Sequence, residues 1–221
     1  LKNVIKNSDN QISYVGGSNI SVYNSVVSNN IGGGLSIENP KDNYASMGPM
    51  YGINYHATTG AIYIYNNIVT NNNSSDNIGG GISIKPGVYK ELNIVNNTIS
   101  NNYGTIGGGI YIYFSELNND KCLIKDNIIS SNHATKQGGG IHIDATMSSN
   151  TAIKCSVINT TIQDNTCGYV GGGLYSIHAN VDISKNTKIV NNHANAFGSD
   201  VYCYKSTFNI IGNSIIQNNT N

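Results

Sequence analysis

Residues 127–143 read Asn-Ile-Ile-Ser-Ser-Asn-His-Ala-Thr-Lys-Gln-Gly-Gly-Gly-Ile-His-Ile, and two parts of this stretch recur along the whole chain. The first part is an aliphatic residue with an Asn three positions later. It occurs at Val27/Asn30, Val69/Asn72, Ile99/Asn102, Ile129/Asn132, Ile162/Asn165, Ile189/Asn192 and Ile216/Asn219. The second part is a glycine triplet before Leu or Ile, at Gly32–Leu35, Gly79–Ile82, Gly107–Ile110, Gly138–Ile141 and Gly171–Leu174. A period of roughly 30 residues is typical of stacked repeats, which predicts a solenoid.

The repeats are expected to consist of strands. Glycine triplets and clusters of Asn and Thr form helices poorly, whereas alternation such as Ile110-Tyr111-Ile112-Tyr113 is typical of strands. Each repeat contains three such runs, so the sequence predicts an all-β, single-stranded parallel β-helix of about seven coils with three strands per coil. The expected core columns are Leu35, Ile82, Ile110, Ile141, Leu174 and Val201, and Val27, Val69, Ile99, Ile129, Ile162 and Ile189.

The whole chain, residues 1–221, is expected to be one domain cut from a longer repeat array, since neither end has a cap of distinct composition. Residues 38–60 interrupt the repeat and predict a loop insertion. Loops on a rigid scaffold often carry recognition, so this insertion supplies candidate contact residues. These candidates are Tyr44, Tyr51, Tyr55 and His56.

A second column of polar residues precedes the first column of Asn in every repeat. Its members are Asn24, Asn66, Asn96, Asp126, Asn159, Asn186 and Asn213. A coil must bend between strands, and Asn tolerates left-handed backbone angles. Asn amides can also hydrogen-bond to the backbone or to the next coil. We therefore expect both columns to form asparagine ladders with a structural role.

The charge balance argues against nucleic acid as a partner. The chain has 12 basic residues, all of them Lys, and 12 acidic residues, giving a net charge of zero. Binding to nucleic acid depends on clustered Lys and Arg, and the lysines are scattered here. The sequence contains no apolar run long enough to span a membrane, so any export signal or anchor is expected to lie outside it.

The four cysteines are expected to be buried thiols. Cys122 and Cys155 stand at equivalent positions of adjacent repeats, pointing inward, and Cys167 and Cys203 replace small or aliphatic residues. A buried free Cys behaves as a small hydrophobic residue. A Cys122–Cys155 disulfide and metal ligation remain alternatives, the latter without a CxxC pair to support it.

The stretch Ile129 to Ala134, followed by Gly138 to Ile141, resembles the F-x-x-N and G-G-A-I repeats of polymorphic outer membrane proteins and of adhesin-like β-helix proteins. Ile replaces Phe here, and a third Gly replaces Ala. Residues Ile189 to Tyr202 are similar and end in a Gly-Ser-Asp-Val-Tyr variant. The resemblance implies a right-handed β-helix that is extracellular, displayed on the cell surface and used in adhesion.

Polysaccharide lyases and hydrolases share this fold, so an enzyme is the main alternative. Lyases of the pectate type employ an Arg base, and this chain has no Arg. Hydrolases need closely placed carboxylates. The candidates Asp126, Asp144, Asp164, Asp182 and Asp200 are spread over successive repeats. We assign no catalytic residue, cofactor or metal. A purely structural stalk or assembly subunit, associating end to end or side by side, is a third possibility.

The position between the two aliphatic residues after each glycine triplet predicts a binding surface. It is occupied by Ser36, Ser83, Tyr111, His142, Tyr175 and Tyr202, with Tyr113, Asp144 and Tyr204 beside them. Aromatic faces dock onto the apolar faces of sugars, so an exposed stripe of this kind would bind a glycan. Alternatively the stacked rings only stabilise parallel strands, or a protein of a host or neighbouring cell covers them.

Overall fold

The computed structural model describes residues 19–37, 58–74, 78–85, 88–114, 116–117, 121–146 and 153–217. These residues form 27 strands and no helix. Every pairing between two named strands is parallel. None of the described segments is an apolar helix of membrane-spanning length. The prediction of an all-β parallel solenoid is confirmed.

Three long sheets run along the solenoid, and each coil passes through them in turn. The first sheet contains β1 (Ile20–Tyr23), β5 (Ile62–Tyr65), β9 (Leu92–Val95), β14 (Cys122–Lys125), β18 (Lys154–Ile158), β22 (Asn180–Ser184) and β26 (Phe208–Ile211). The second contains β2 (Val26–Ser28), β6 (Ile68–Thr70), β10 (Thr98–Ser100), β15 (Ile128–Ser130), β19 (Thr161–Gln163), β23 (Lys188–Val190) and β27 (Ile215–Gln217). The third contains β3 (Leu35–Ile37), β7 (Ile82–Ile84), β12 (Ile110–Tyr113), β17 (Ile141–Asp144), β21 (Leu174–Ile177) and β25 (Val201–Tyr204).

Two short sheets fill corners that the sequence analysis leaves unassigned. The fourth sheet, between the second and third, contains β11 (Tyr103–Ile106), β16 (His133–Gln137), β20 (Thr166–Cys167) and β24 (His193–Ala194). The fifth, between the third and first, contains β4 (Thr58–Thr59), β8 (Val88–Tyr89) and β13 (Glu116–Leu117). The long sheets confirm three main strands per coil, and their strands make slightly fewer complete coils than the seven predicted.

The connections between sheets differ in their variability. The chain passes from the first sheet to the second by a short link in every coil, as from Tyr65 to Ile68. From the third sheet to the first, the link runs from Ile37 to Ile62 in the first coil but only from Ile177 to Asn180 in the fifth. Variation in repeat length is therefore greatest at the corner between the third and first sheets.

The core consists of the predicted aliphatic columns. Ile82, Ile110, Ile99 and Ile129 are fully buried, and their counterparts in neighbouring coils stack on them in register. Only Val201, in the last strand of the third sheet, is partly exposed. Burial of apolar surface in these columns is the main stabilising contribution.

Buried ladders of polar side chains run along both edges of the second sheet. The predicted column of Asn30, Asn72, Asn102, Asn132, Asn165 and Asn192 is buried. The Asn102 amide nitrogen donates to Asn132 Oδ1 at 2.9 Å and to the Val69 carbonyl at 3.0 Å. The other buried ladder lies one residue later than predicted, at Asn67, Asn97, Asn127, Thr160 and Thr187.

The predicted second column lies on the outside of the bend instead. Asn66 and Asn96 are exposed and adopt φ angles of 58° and 55°, in the left-handed region. The same division holds at the other edge, where exposed Asn101 has a φ of 54° and buried Asn102 supplies the amide. In each Asn doublet the first residue thus takes the left-handed backbone conformation and the second forms the ladder, whereas a single residue was expected to do both.

All four cysteines are free thiols, as predicted. Cys122 pairs in register with Leu92 on one side and Cys155 on the other. Cys167 aligns with Ala134. Cys203 is only partly buried, because its strand β25 is the last of the third sheet.

Candidate functional site

The third sheet brings the predicted aromatic residues together. In-register pairing aligns Ser83 with Tyr111, and Tyr111, His142, Tyr175 and Tyr202 follow one another along the sheet. Successive ring centroids are 5.3, 4.7 and 5.7 Å apart. We call these four residues the ring column. The predicted flanking residues Tyr113, Asp144 and Tyr204 lie in the adjacent column.

Most of the ring column is not the exposed stripe that the sequence predicts. Tyr111, His142 and Tyr175 are only 6%, 2% and 5% exposed. The first glycine of each triplet, at positive φ, brings the backbone close to these side chains, and a Cβ at Gly107 would lie 2.8 Å from Tyr111 Cβ. Tyr202 and Tyr113 are partly buried, and Tyr204 is 45% exposed. The buried rings therefore stack on one another and leave no continuous platform for a sugar.

His142 and Asp144 form the main polar feature of this sheet. His142 Nε2 lies 4.0 Å from Asp144 Oδ2, too far for a hydrogen bond, and within the described residues His142 Nδ1 has no partner. Burial lowers the pKa of His142, although the nearby carboxylate opposes this. Burial alone would raise the pKa of Asp144, but His142 and two hydrogen bonds from Thr146 hold it below its usual value. The imidazole is thus neutral beside a carboxylate.

The sequence matches the model of a known protein family over most of its length. A family model described as the right-handed β-helix region matches residues 2–157. The chain belongs to this family. Its parallel sheets accordingly wind as a right-handed β-helix, as expected from the resemblance. Neither a search of curated proteins nor a search of solved structures found a match.

The carboxylates considered for catalysis serve separate structural contacts in this β-helix. Asp182 pairs with Lys154 Nζ at 2.7 Å and accepts a hydrogen bond from Asn209, and both contacts lower its pKa. Asp126 accepts a hydrogen bond from Asn159, which is the main reason for its lowered pKa. Asp144 accepts a hydrogen bond from Thr146, Asp164 accepts one from Gln163, and Asp200 accepts one from Asn192. Within the described ranges, no three His, Cys, Asp or Glu residues are grouped to hold a metal ion.

The predicted loop contacts Tyr44, Tyr51, Tyr55 and His56 lie outside the described residues. Of the predicted insertion 38–60, the structure describes the end. There β4 (Thr58–Thr59) pairs with β8. This end of the insertion therefore belongs to the fifth sheet of the β-helix.

The second sheet presents an exposed surface that was not predicted from the sequence. The outward residues of β2, β6, β10, β15 and β19 are Val26, Ser28, Ile68, Thr70, Thr98, Ser100, Ile128, Ser130, Thr161 and Gln163. None of these ten side chains is charged, and we call them the uncharged face. Val26, Ile68 and Ile128 are 68%, 48% and 50% exposed. The same alternation that locates the ring column would have located this face.

Proposed function

We propose that this β-helix is a non-catalytic, extracellular rod of the adhesin-like class, which attaches to an uncharged glycan surface through its uncharged face. The composition of that face carries the proposal. Its exposed β-branched residues and hydroxyl groups repeat from coil to coil, at a spacing of about 4.8 Å along the sheet. Exposed apolar side chains that adjoin one another, as Val26 and Ile68 do in adjacent coils, are typical of interaction sites.

The chemistry of the uncharged face suits a neutral glycan. Sugar rings present apolar C–H faces and hydroxyl edges. Val26, Ile68 and Ile128 offer apolar contact, and the hydroxyl groups of Thr70 and Ser100, 3.1 Å apart, offer hydrogen bonds. Since no charged side chain lies among these ten residues, no anionic ligand is favoured there.

Two observations support a binding role over catalysis. Asp126 and Asp182 accept structural hydrogen bonds from Asn159 and Asn209, and they belong to coils that are separated by the coil of β18. His142 is 2% exposed and carries a lowered pKa, which disfavours its protonated form. In a rod that only presents a repeated surface, these carboxylates and this imidazole need no role beyond stabilising the coils.

The test is a glycan-array experiment with the wild type and the double variant Ile68→Lys/Ile128→Lys. The variant places two cations on the uncharged face and should retain the fold, because Lys188 occupies the same column in β23. We expect binding to neutral glycans to fall about tenfold or more, through lost apolar contact and desolvation of the new charges.

The control is Val95→Lys on the outer side of the first sheet, where Lys125 follows in the same column. This variant should bind like the wild type. Equal binding by all three proteins, or no binding of the wild type to any neutral glycan, would contradict the proposal.

A further inference from the structure

A pocket of about 100 Å³ lies beside the third sheet, before the first ring of the ring column. Its lining residues are Gly32, Gly33, Gly34, Leu35, Ser36, Ser74, Ile78, Gly79, Ser83 and Lys85. Register explains its origin. Ser36 and Ser83 occupy the two positions that continue the ring column beyond Tyr111. Two serines thus stand where later coils place rings, and the space beside them is open.

The backbone around the pocket also departs from the repeat. In later coils the second glycine of a triplet donates to the first glycine of the next, as Gly80 does to the Gly107 carbonyl at 3.0 Å. Gly33 instead donates to the Asn73 carbonyl at 2.9 Å and adopts a φ of 98°. Among the described residues, no donor then reaches the Gly79 carbonyl. Within the described ranges, the pocket wall therefore contains an unpaired backbone acceptor.

Ser83 supplies a second unpaired group. The residue is 3% exposed, and its hydroxyl has no hydrogen-bond partner in the described part of the chain. Buried polar groups are almost always hydrogen-bonded, so a lone hydroxyl on a pocket wall indicates a missing ligand or water. Ser36, Ser74 and Lys85 make the rest of the lining strongly polar.

The size and the polar lining of the pocket indicate which class of ligand it can bind. An engineered apolar cavity of about 150 Å³ binds benzene. At about 100 Å³ this pocket is smaller, so it admits one edge of a ring and no more. An aromatic ring would leave the Ser83 hydroxyl and the Gly79 carbonyl unpaired. We propose that the pocket receives one edge of a neutral six-membered sugar ring, whose hydroxyl groups donate to the Gly79 carbonyl and form a hydrogen bond with Ser83 Oγ. This site is separate from the uncharged face.

The experiment titrates the protein with methyl glycosides of glucose, galactose, mannose and N-acetylglucosamine, followed by ligand-detected NMR, with phenol as the aromatic probe. We expect at least one glycoside to bind in the millimolar range. Ser83→Ala should weaken that binding about tenfold, because it removes one hydrogen bond to the ligand. Ser83→Tyr should abolish the binding by placing a ring in the pocket.

Ser156→Ala, at a partly exposed position of the first sheet, is the matched control and should bind like the wild type. Ser83→Ala keeps the test valid if Ser83→Tyr fails to fold. The Ile68→Lys/Ile128→Lys variant should retain monosaccharide binding, which separates this site from the uncharged face. Absence of glycoside binding, which would mean that only water fills the pocket, would overturn the proposal. So would phenol binding that is insensitive to Ser83→Ala.

Discussion

At the scale of single residues, the corners of the coil depend on pairs of adjacent polar residues with different roles. In the doublet Asn101-Asn102, the first residue takes the left-handed backbone conformation and the second is buried. The side chain of Asn102 accepts two hydrogen bonds from Asn72 and donates two more. The buried amide thus replaces the ladder bonds that the bend interrupts.

Replacing Asn102 with Ala should lower the free energy of unfolding by about 3 kcal/mol, because it leaves the buried backbone N–H of Asn72 without a partner and removes the side-chain hydrogen bond to the Val69 carbonyl. Chemical denaturation measures this change. The control Asn101→Gly keeps an exposed left-handed position that glycine also adopts, so it should change stability by no more than about 0.5 kcal/mol. Equal losses in the two variants would contradict the assigned roles.

His142 should make the stability depend on pH. Burial holds its folded-state pKa below the unfolded value of about 6.5, so the unfolded chain takes up a proton first as the pH falls. The stabilising contribution is complete above that unfolded value and is lost as the pH decreases towards the folded pKa. Asp144 is the carboxylate beside the imidazole, Tyr175 stacks on the His142 ring, and the Tyr111 ring packs against that ring at a tilt.

Denaturation of the wild type and of His142→Tyr between about pH 7.5 and 5 tests this expectation. The variant continues the ring column without a group that titrates in this range, so it should lose less stability on acidification. His133, whose pKa burial also lowers, is common to both proteins. An identical pH dependence in the two proteins would show that His142 is not responsible.

The sequence predicts the register of these residues but not their burial. Aliphatic alternation is enough to align Tyr111, His142 and Tyr175, because a parallel stack fixes equivalent positions. Their burial depends on the path of the preceding glycines, which the residue types alone do not specify. Likewise, both members of an Asn doublet are the same residue type, so the sequence does not tell which one turns inward.

At the scale of the elements, the glycine triplets bring the backbones of adjacent coils into close contact. A Cβ at Gly139 would lie 2.4 Å from both the Gly172 and Thr166 carbonyl oxygens, which belong to the next coil. The fourth sheet is difficult to predict from the sequence for a different reason. Its strands combine Gly104 or Lys136 with polar residues and show no aliphatic alternation.

Gly139→Ala should therefore destabilise the protein by about 3 kcal/mol, since the backbone of the next coil must move. Gly212→Ala is the matched control. Its φ of 74° is unfavourable for Ala, but nothing lies within 4 Å of the added carbon, so the loss should be about 1 kcal/mol. Thermal or denaturant unfolding compares them, and a larger loss in the Gly212 variant would refute the crowding argument.

At the scale of the whole molecule, the stability of a solenoid is carried by contacts between neighbouring coils. The central strand β14 has a partner on each side, whereas β26 and β27 end their sheets. Ile210 and Ile211 in the last coil are 54% and 53% exposed, while Ile124 in β14 is fully buried. The last described coil has therefore lost both hydrogen bonds and core contacts on one side.

Amide hydrogen exchange should reveal this gradient. We expect β26 and β27 to exchange through local opening and β14 and β18 to exchange only through much larger unfolding. Mass spectrometry of peptides from the two regions measures the difference. Uniform protection from the centre to the last coil would mean that the molecule unfolds as a single cooperative unit.

The corner between the third and first sheets has a consequence for how such a chain can change over generations. Because the link there runs from Ile37 to Ile62 in one coil and from Ile177 to Asn180 in another, while the register of the long sheets is kept, its length is less constrained than that of the other links. We therefore expect this corner to accept insertions without a change in the register of the long sheets. The protein could therefore serve as a scaffold for peptide display, and foreign peptides grafted between the third and first sheets should leave its coils intact.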